Sequence, residues 1–279
     1  LKSYFTGFNG YIFIAFFLLF TGIFAMVINF RSRIPFFEYI FSNLNLLYII
    51  LVPILTMRVI AEDRRQKTDQ LLYSLPINVS KIVWGKYLAM LTVLLIPMII
   101  ICIYPIFLSF YGTVNMTVSY SAIFAFFLLG AALIAIGMFI SSLTDNQIVA
   151  AVLSFGAVLL CYLMSGLASY IPSTALGSVV GFTVLIILIG LIVYFMTKNI
   201  TAGAGTAIVL EGCLLAIFFI RPTVLEGVFK NLLNGLSVFS RLGNFINGIF
   251  DLTAVIYYLT IVLLFVFFTV QSMEKRRWS

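Results

Sequence analysis

Eight apolar runs divide the sequence: Tyr11–Phe30, Asn43–Val59, Tyr87–Phe110, Ser121–Leu143, Gln147–Ser169, Gly177–Thr197, Gly203–Ile220 and Leu252–Gln271. A helix of about 20 apolar residues crosses the roughly 30 Å hydrocarbon layer of a bilayer. In that layer each peptide group must find its hydrogen bond within the protein, which a helix provides by itself. Only 9% of the 279 residues are charged and 63% are hydrophobic, whereas a soluble domain needs roughly a quarter charged. The expected fold class is all-α, a polytopic transmembrane helix bundle. The seventh run is the shortest, and Glu211 interrupts it.

Lys and Arg set the expected orientation. With both termini inside, the cytoplasmic side receives Lys2, Arg58, Arg64, Arg65, Lys67, Lys81, Lys86, Lys198, Lys275, Arg276 and Arg277. The outer side receives Arg31, Arg33, Arg221, Lys230 and Arg241. This excess of inner cations follows the positive-inside rule, and an even number of spans agrees with it. The first run ends in Asn29-Phe30-Arg31 rather than a small-residue cleavage site, so it reads as a retained span and not as a signal peptide. The chain opens on Leu1 rather than Met, and a few leading residues are expected before it.

Several chemistries are absent from the composition. Cys102, Cys161 and Cys213 are far apart inside apolar runs, and there is no histidine. They read as small buried hydrophobes, not disulfides or metal ligands. Without histidine there is no HExxH motif and no Ser–His pair, which argues against an intramembrane hydrolase. The net charge of +7 sits at span ends, as membrane orientation requires, and no nucleic-acid partner is expected.

Three stretches outside the spans carry pattern. Residues 1–9, with Tyr4, Phe5 and Phe8 beside Lys2, suit an interfacial entry segment. Residues 222–251 repeat apolar side chains at helical spacing, through Leu225, Val228, Phe229, Leu232, Leu233 and Leu236, then Phe239, Leu242, Phe245, Ile246 and Ile249. These are expected to form amphipathic helices on the outer leaflet, with Asp251 as N-cap of the last span. Residues 61–86 hold most of the inner charge.

A transporter moved by a separate motor needs a rigid cytoplasmic element for the motor to grip, and a short helix in 61–86 fits that need. Thr68 is its expected N-cap, Asp69 lies at the positive end of the helix dipole and Pro76 stops it. Leu71, Leu72 and Leu75 form the apolar face. On these residues alone, an ordinary charged loop that fixes topology explains the segment equally well.

The pattern Glu62-Asp-Arg-Arg-Gln-Lys-Thr68-Asp-Gln-Leu-Leu72, then Ser74-Leu-Pro76, then Lys81-Ile-Val-Trp-Gly-Lys86 resembles the inner loop of ABC-2 type permeases. The branch it resembles includes gliding-motility and nitrous-oxide-reductase-maturation permeases. Leu1-Lys-Ser-Tyr-Phe5 with Gly10-Tyr-Ile-Phe13 resembles that family's entry to its first span. Ile136 to Ala151 resembles its connection between fourth and fifth spans. Phe239–Asp251, Tyr257-Tyr258 and Ser272–Trp278 resemble its last outer segment and final helix. Two departures stand out: Lys67 replaces a frequent glycine, and Leu75 intervenes before Pro76.

The resemblance implies an ABC-2 (type V exporter-like) permease fold, here with about eight spans instead of six, the extra transmembrane hairpin being residues 177–220. It implies a permease dimer, the second subunit identical or homologous, with two ABC ATP-binding subunits on the cytoplasmic side of a bacterial plasma membrane. Coupling to the ATPase then falls on Glu62, Asp63, Arg64, Arg65, Thr68, Asp69, Leu71 and Leu72, with Thr144, Asp145 and Asn146 as a second contact. The chain contains no GxxxxGK[ST] phosphate loop, so no cofactor is expected on it, and ATP and Mg belong to the partner. The permease itself is not expected to be an enzyme, and its cargo is expected to be amphiphilic, a lipid, lipopeptide or hydrophobic drug.

Three residues are candidates for the substrate path. Pro97 and Pro105 should kink or loosen the third span, which serves either a path or plain packing. A carboxylate such as Glu211 inside an apolar span faces protein or water, or is protonated; it is either a functional site (substrate contact or proton-linked switch), or it lies in a short or tilted span and reaches the inner interface near Lys198. An ATPase-independent secondary transporter or channel is the competing reading, although no inverted repeat with paired broken helices is visible.

Overall fold

The computed structural model describes residues 8–32, 34–68 and 78–277. Among the described residues, eight helices are long and apolar enough to cross a membrane, matching the eight runs in number and order. The connected elements are α1 (Phe8–Phe24), α2 (Ile40–Thr56), a short α3 (Ala61–Arg65), α4 (Val79–Ile101), α5 (Tyr104–Ser109), α6 (Met116–Leu143) and α7 (Gln147–Tyr170). They continue as α8 (Ala175–Thr197), α9 (Ile200–Ile220), α10 (Val228–Leu236), α11 (Leu242–Ile246) and α12 (Leu252–Arg277). Contacts divide the chain into two compact units, one of Leu1–Cys161 with Arg241–Ser279 and one of Tyr162–Ser240, the boundary falling within α7.

The first unit is organised around α6. Of its most apolar window 78% is buried, against 28% for α12, and it packs against α2, α4, α11 and α12. Lipid tails are as apolar as leucine, so helix association in a bilayer relies on close packing and interhelical hydrogen bonds. The sequence of α6 supplies the first through Gly130, Ala131, Ala132, Ala135, Gly137, Ser141 and Ser142, all buried. At Gly130 a Cβ would stand 2.6 Å from Tyr48 Oη and 2.7 Å from Leu94 Cδ2. The hydrogen bonds come from neighbouring helices. Tyr48 Oη donates to Phe126 O at 2.9 Å and Tyr87 Oη to Ala131 O at 3.1 Å. The Tyr48 ring also stacks on Phe126 at 4.4 Å, with Phe41 at 4.8 Å from the same ring.

Proline explains the break in the third span. α4 ends at Ile101 and α5 resumes at Tyr104, because Pro105 has no N–H to offer the Ile101 carbonyl. Pro97 also lacks that donor, yet α4 runs through it. α1 ends differently, widening into a π-helical turn over Ala25–Arg31. There Asn29 Nδ2 donates to Ile34 O at 2.8 Å and ties the turn to the chain that follows.

In the second unit α8 and α9 form a tight hairpin joined through Lys198 and Asn199. Gly190 and Gly203 meet across it: a Cβ at Gly203 would lie 2.8 Å from Gly190 O. Asn199 caps α9 by accepting from Thr201 N at 3.0 Å. The first amphipathic stripe folds as α10, which buries Phe229 and Leu233 against Ala168, Met164, Phe182 and Leu185. Phe229 fills the space that a side chain at Gly181 would occupy. The second stripe folds from Leu242 on as α11, in the first unit, and buries Leu242, Phe245 and Ile246. Asp251 caps α12 by accepting from Thr253 N at 2.9 Å, and the Asn244 amide beside it holds its carboxyl below the usual range.

Close packing at Gly130 is directly testable. Gly130→Ala forces the Tyr48 ring or Leu94 to shift and is expected to cost about 1–3 kcal/mol, seen as a lower melting temperature in detergent. Gly156→Ala, where nothing lies within 4 Å, should leave melting unchanged or raise it. Equal behaviour of the two variants would contradict the packing described for α6.

Candidate functional site

The ends of α2, α4, α6 and α12 in the first unit carry polar residues that five segments of sequence supply. After Thr56 the chain turns, and α3 starts with its free amide groups directed at α6. Ser141 Oγ accepts from Ile60 N at 3.3 Å and from Ala61 N at 3.2 Å, and its hydroxyl lies 3.3 Å from Met57 O. One buried serine thus serves the helix start that no side chain of its own caps. α3 is docked on the end of α6 and is not a free loop.

Two ion-pair systems extend from this serine. Lys86, about two turns into α4, reaches both Asp63 Oδ2 and the Val59 carbonyl. Arg64, whose side chain is 3% exposed, lies 3.7 Å from Asp145 Oδ1 in the α6–α7 turn. Arg276 of α12 grips the same carboxylate with two prongs, Nη1 to Oδ1 at 2.5 Å and Nη2 to Oδ2 at 3.1 Å. The Arg276 hydrogen bonds, followed by the charges of Arg276 and Arg64, hold the Asp145 carboxyl below its usual range, so it is ionised at neutral pH. One turn earlier on α12, Ser272 Oγ donates to Ser142 O at 3.2 Å.

The structure therefore joins part of the expected coupling set. Asp63, Arg64 and Asp145 share this corner. Glu62 points aside and accepts from Gln66 Nε2 at 3.2 Å, and Arg65 is exposed. Thr144 Oγ1 accepts from Asn146 N at 3.2 Å, and Asn146 caps α7 by accepting from Ile148 N at 2.9 Å. Thr68 Oγ1 donates to Asp63 O at 3.2 Å. Asp69, Leu71 and Leu72, with Leu75 and Pro76, lie outside the described residues, as do residues 1–7 of the entry segment. Sequence reading passed over Lys86 as a partner for Asp63, and it took Arg276 only as an orienting charge. The spacing of Gly85-Lys86 after the acidic run was the available signal for the first. No signal in sequence pairs Arg276 with Asp145, which is 131 residues away.

The substrate-path candidates fall in both units. Pro97 and Pro105 are buried in the first unit, whereas Glu211 belongs to the second. α9 is a full 21-residue helix, so the seventh span is not short. Glu211 stands eleven residues beyond Ile200, about 17 Å along the axis. There Thr183 Oγ1 donates to Glu211 Oε1 at 2.9 Å across the hairpin. Glu211 Oε2 is buried and makes no hydrogen bond. A further buried carboxylate that the sequence reading missed is Glu38, which accepts from Ser119 Oγ at 3.0 Å. Among the described residues no group of His, Cys, Asp and Glu is arranged to hold a metal ion.

A family model described as ABC-2 family transporter protein matches residues 12–181, more than half of the chain. The matched region spans α1 to the start of α8 and contains the Asp63–Lys86 and Arg64–Asp145 pairs. Comparison with curated proteins and with solved structures finds no match.

Lys67, where the resembled family often has glycine, adopts φ of +56° immediately after α3. This left-handed position ends the helix in the way that glycine ordinarily does, and it strains any residue with a Cβ. Lys67→Gly is expected to be at least as stable as the wild type. Lys67→Val should lose about 1–2 kcal/mol. Melting of the purified variants checks the order, and a valine variant as stable as glycine would rule out the left-handed turn.

Proposed function

The chain belongs to the ABC-2 family of transporter proteins, and from that premise we propose that it is the permease subunit of an ATP-driven exporter whose coupling surface is the Asp63–Lys86, Arg64–Asp145 corner. The observation that carries this reading is the meeting of two loops far apart in sequence at one ion-paired corner. A motor gripping either loop would move the ends of α2, α4, α6 and α7 together. The acidic-basic run with the later Gly85-Lys86 supports placing the chain in the branch that includes gliding-motility and nitrous-oxide-reductase-maturation permeases.

In this reading both termini are cytoplasmic and the protein sits in a bacterial plasma membrane. Two ATP-binding subunits, which carry ATP and Mg, engage a dimer of permease chains through residues 62–72 and 144–146. ATP binding closes the motors and the corners follow, so the spans of the two permeases rearrange at their shared face. An amphiphilic cargo (lipid, lipopeptide or hydrophobic drug) suits the amphipathic α10 and α11 and the aromatic spans. Pro97, Pro105 and Glu211 are candidate contacts along its path. The permease contributes no covalent chemistry. Its work is to hold one arrangement of helices and yield to another.

Affinity purification of the chain with its genomic neighbours, followed by intact-complex mass, tests the assembly. Two ATP-binding subunits with two permease chains are expected. A stable assembly without any ATP-binding subunit would overturn the proposal and direct attention to ion flux through Glu211. Reversing the charge of Glu62, Asp63 and Asp69 together should leave the spans folded but uncouple transport from ATP hydrolysis. Transport that continues undiminished in that variant would remove the coupling assignment.

A further inference from the structure

The expected coupling contacts lie between the second and third spans and between the fourth and fifth, yet the two-pronged partner of Asp145 belongs to neither pair of spans. It comes from the far end of the chain. We infer that Arg276 is a positioning residue that locks the last span, α12, to the α6–α7 turn, so that a motion imposed on that turn is carried into α12. This rests on the coupling reading of Asp145 given above.

The geometry supports a lock in three layers along one helix pair. Deepest in the spans, Phe139 of α6 packs against Phe265 and Phe268 of α12, each at 5.7 Å between ring centres. Next, Ser272 Oγ donates to Ser142 O at 3.2 Å. At the end stands the two-pronged Arg276–Asp145 pair. A single exposed ion pair contributes little, because water screens it and two side chains must be ordered. A planar guanidinium on both oxygens of a carboxylate is different: it fixes orientation as well as distance. Asp145 sits between two helix ends and beside a second cation. Ser142 lies in the last turn of α6, Asn146 caps α7, and the buried Arg64 approaches the same carboxylate from α3. Asp145 stands in the short turn between those helix ends, and Arg276 attaches α12 to that turn.

The other side of Asp145 explains why a lock at this point has mechanical reach. α6 makes its most extensive packing with α12, and Tyr258, Val262, Val266 and Met273 are buried along α12. A force entering at Asp145 is therefore applied at the end of a packed helix pair. Without Arg276, the aromatic and serine layers remain, but the charged end of α12 is free of the turn.

The test uses the chain in complex with its ATP-binding subunit, with Cys102, Cys161 and Cys213 replaced by serine. Single reporter cysteines are placed at Leu252, at the opposite end of α12, and at Thr117, at the opposite end of α6; both positions are exposed. Labelling by a membrane-impermeant maleimide is timed with and without ATP and vanadate. With Arg276 intact, trapping should change the labelling rate at both reporters. In Arg276→Ala the change at Leu252 should be lost while that at Thr117 persists. Arg276→Lys, which keeps the charge but only one prong, should recover part of the Leu252 response, and it carries the comparison if the alanine variant does not assemble. A Leu252 response that survives Arg276→Ala overturns the lock and leaves the coupling reading standing. If neither reporter responds to trapping with Arg276 intact, the coupling reading fails, and the lock fails with it.

Discussion

Everything in the larger unit depends on how closely other helices can approach α6. In hydrocarbon there is no hydrophobic reward for bringing two apolar helices together, since lipid covers them equally well. What remains is dispersion at short range and the hydrogen bonds that side chains make across helices. α6 answers with small residues where Tyr48, Leu94 and Thr56 press in, and with backbone carbonyls at Phe126 and Ala131 that accept phenolic hydroxyls from α2 and α4. Each such carbonyl already serves its own helix, so the tyrosines use the second lone pair and leave the helix intact. The second unit uses the same principle at Gly190 and Gly203.

The polar corner is built on that packing. Its charges are clustered towards the ends of long helices, and most keep part of the side chain exposed. Arg64 is the exception, with its side chain almost wholly enclosed. A buried guanidinium requires nearby negative charge and hydrogen bonds, and Asp145 supplies charge while also receiving Arg276. The corner is thus a small electrostatic network in which Asp145 meets both Arg276 and Arg64, and Lys86 meets both Asp63 and the Val59 carbonyl. Such a network joins the helix ends through several contacts instead of one.

Much of this architecture was legible from periodicity. The number, order and approximate limits of the spans follow from run length alone, because a helix of fixed rise must cover a bilayer of fixed thickness. The amphipathic helices at Val228–Leu236 and Leu242–Ile246 were visible as stripes, and Asp251 as a cap. By run length the seventh span is the shortest, because Glu211 interrupts its apolar run. The helix is in fact continuous, since Thr183 on the facing helix offers that carboxylate a donor. The break at Cys102–Ile103 follows from Pro105, whereas Pro97 leaves α4 continuous, so proline by itself did not say which position would yield.

Sequence by itself determined that this chain is a bundle of membrane-crossing helices, because composition and run length answer to the solvent and need no partner residue. Motif order pointed to its family for a similar reason: short segments keep their pattern wherever they fold. Which charges meet was decided only by tertiary structure. Asp63 with Lys86, Arg64 with Asp145, and Asp145 with Arg276 are separated by 23, 81 and 131 positions, and no local periodicity encodes such distances. They meet because packing around α6 brings the ends of α2, α4 and α12 to one level, and the charges nearest those ends then find one another.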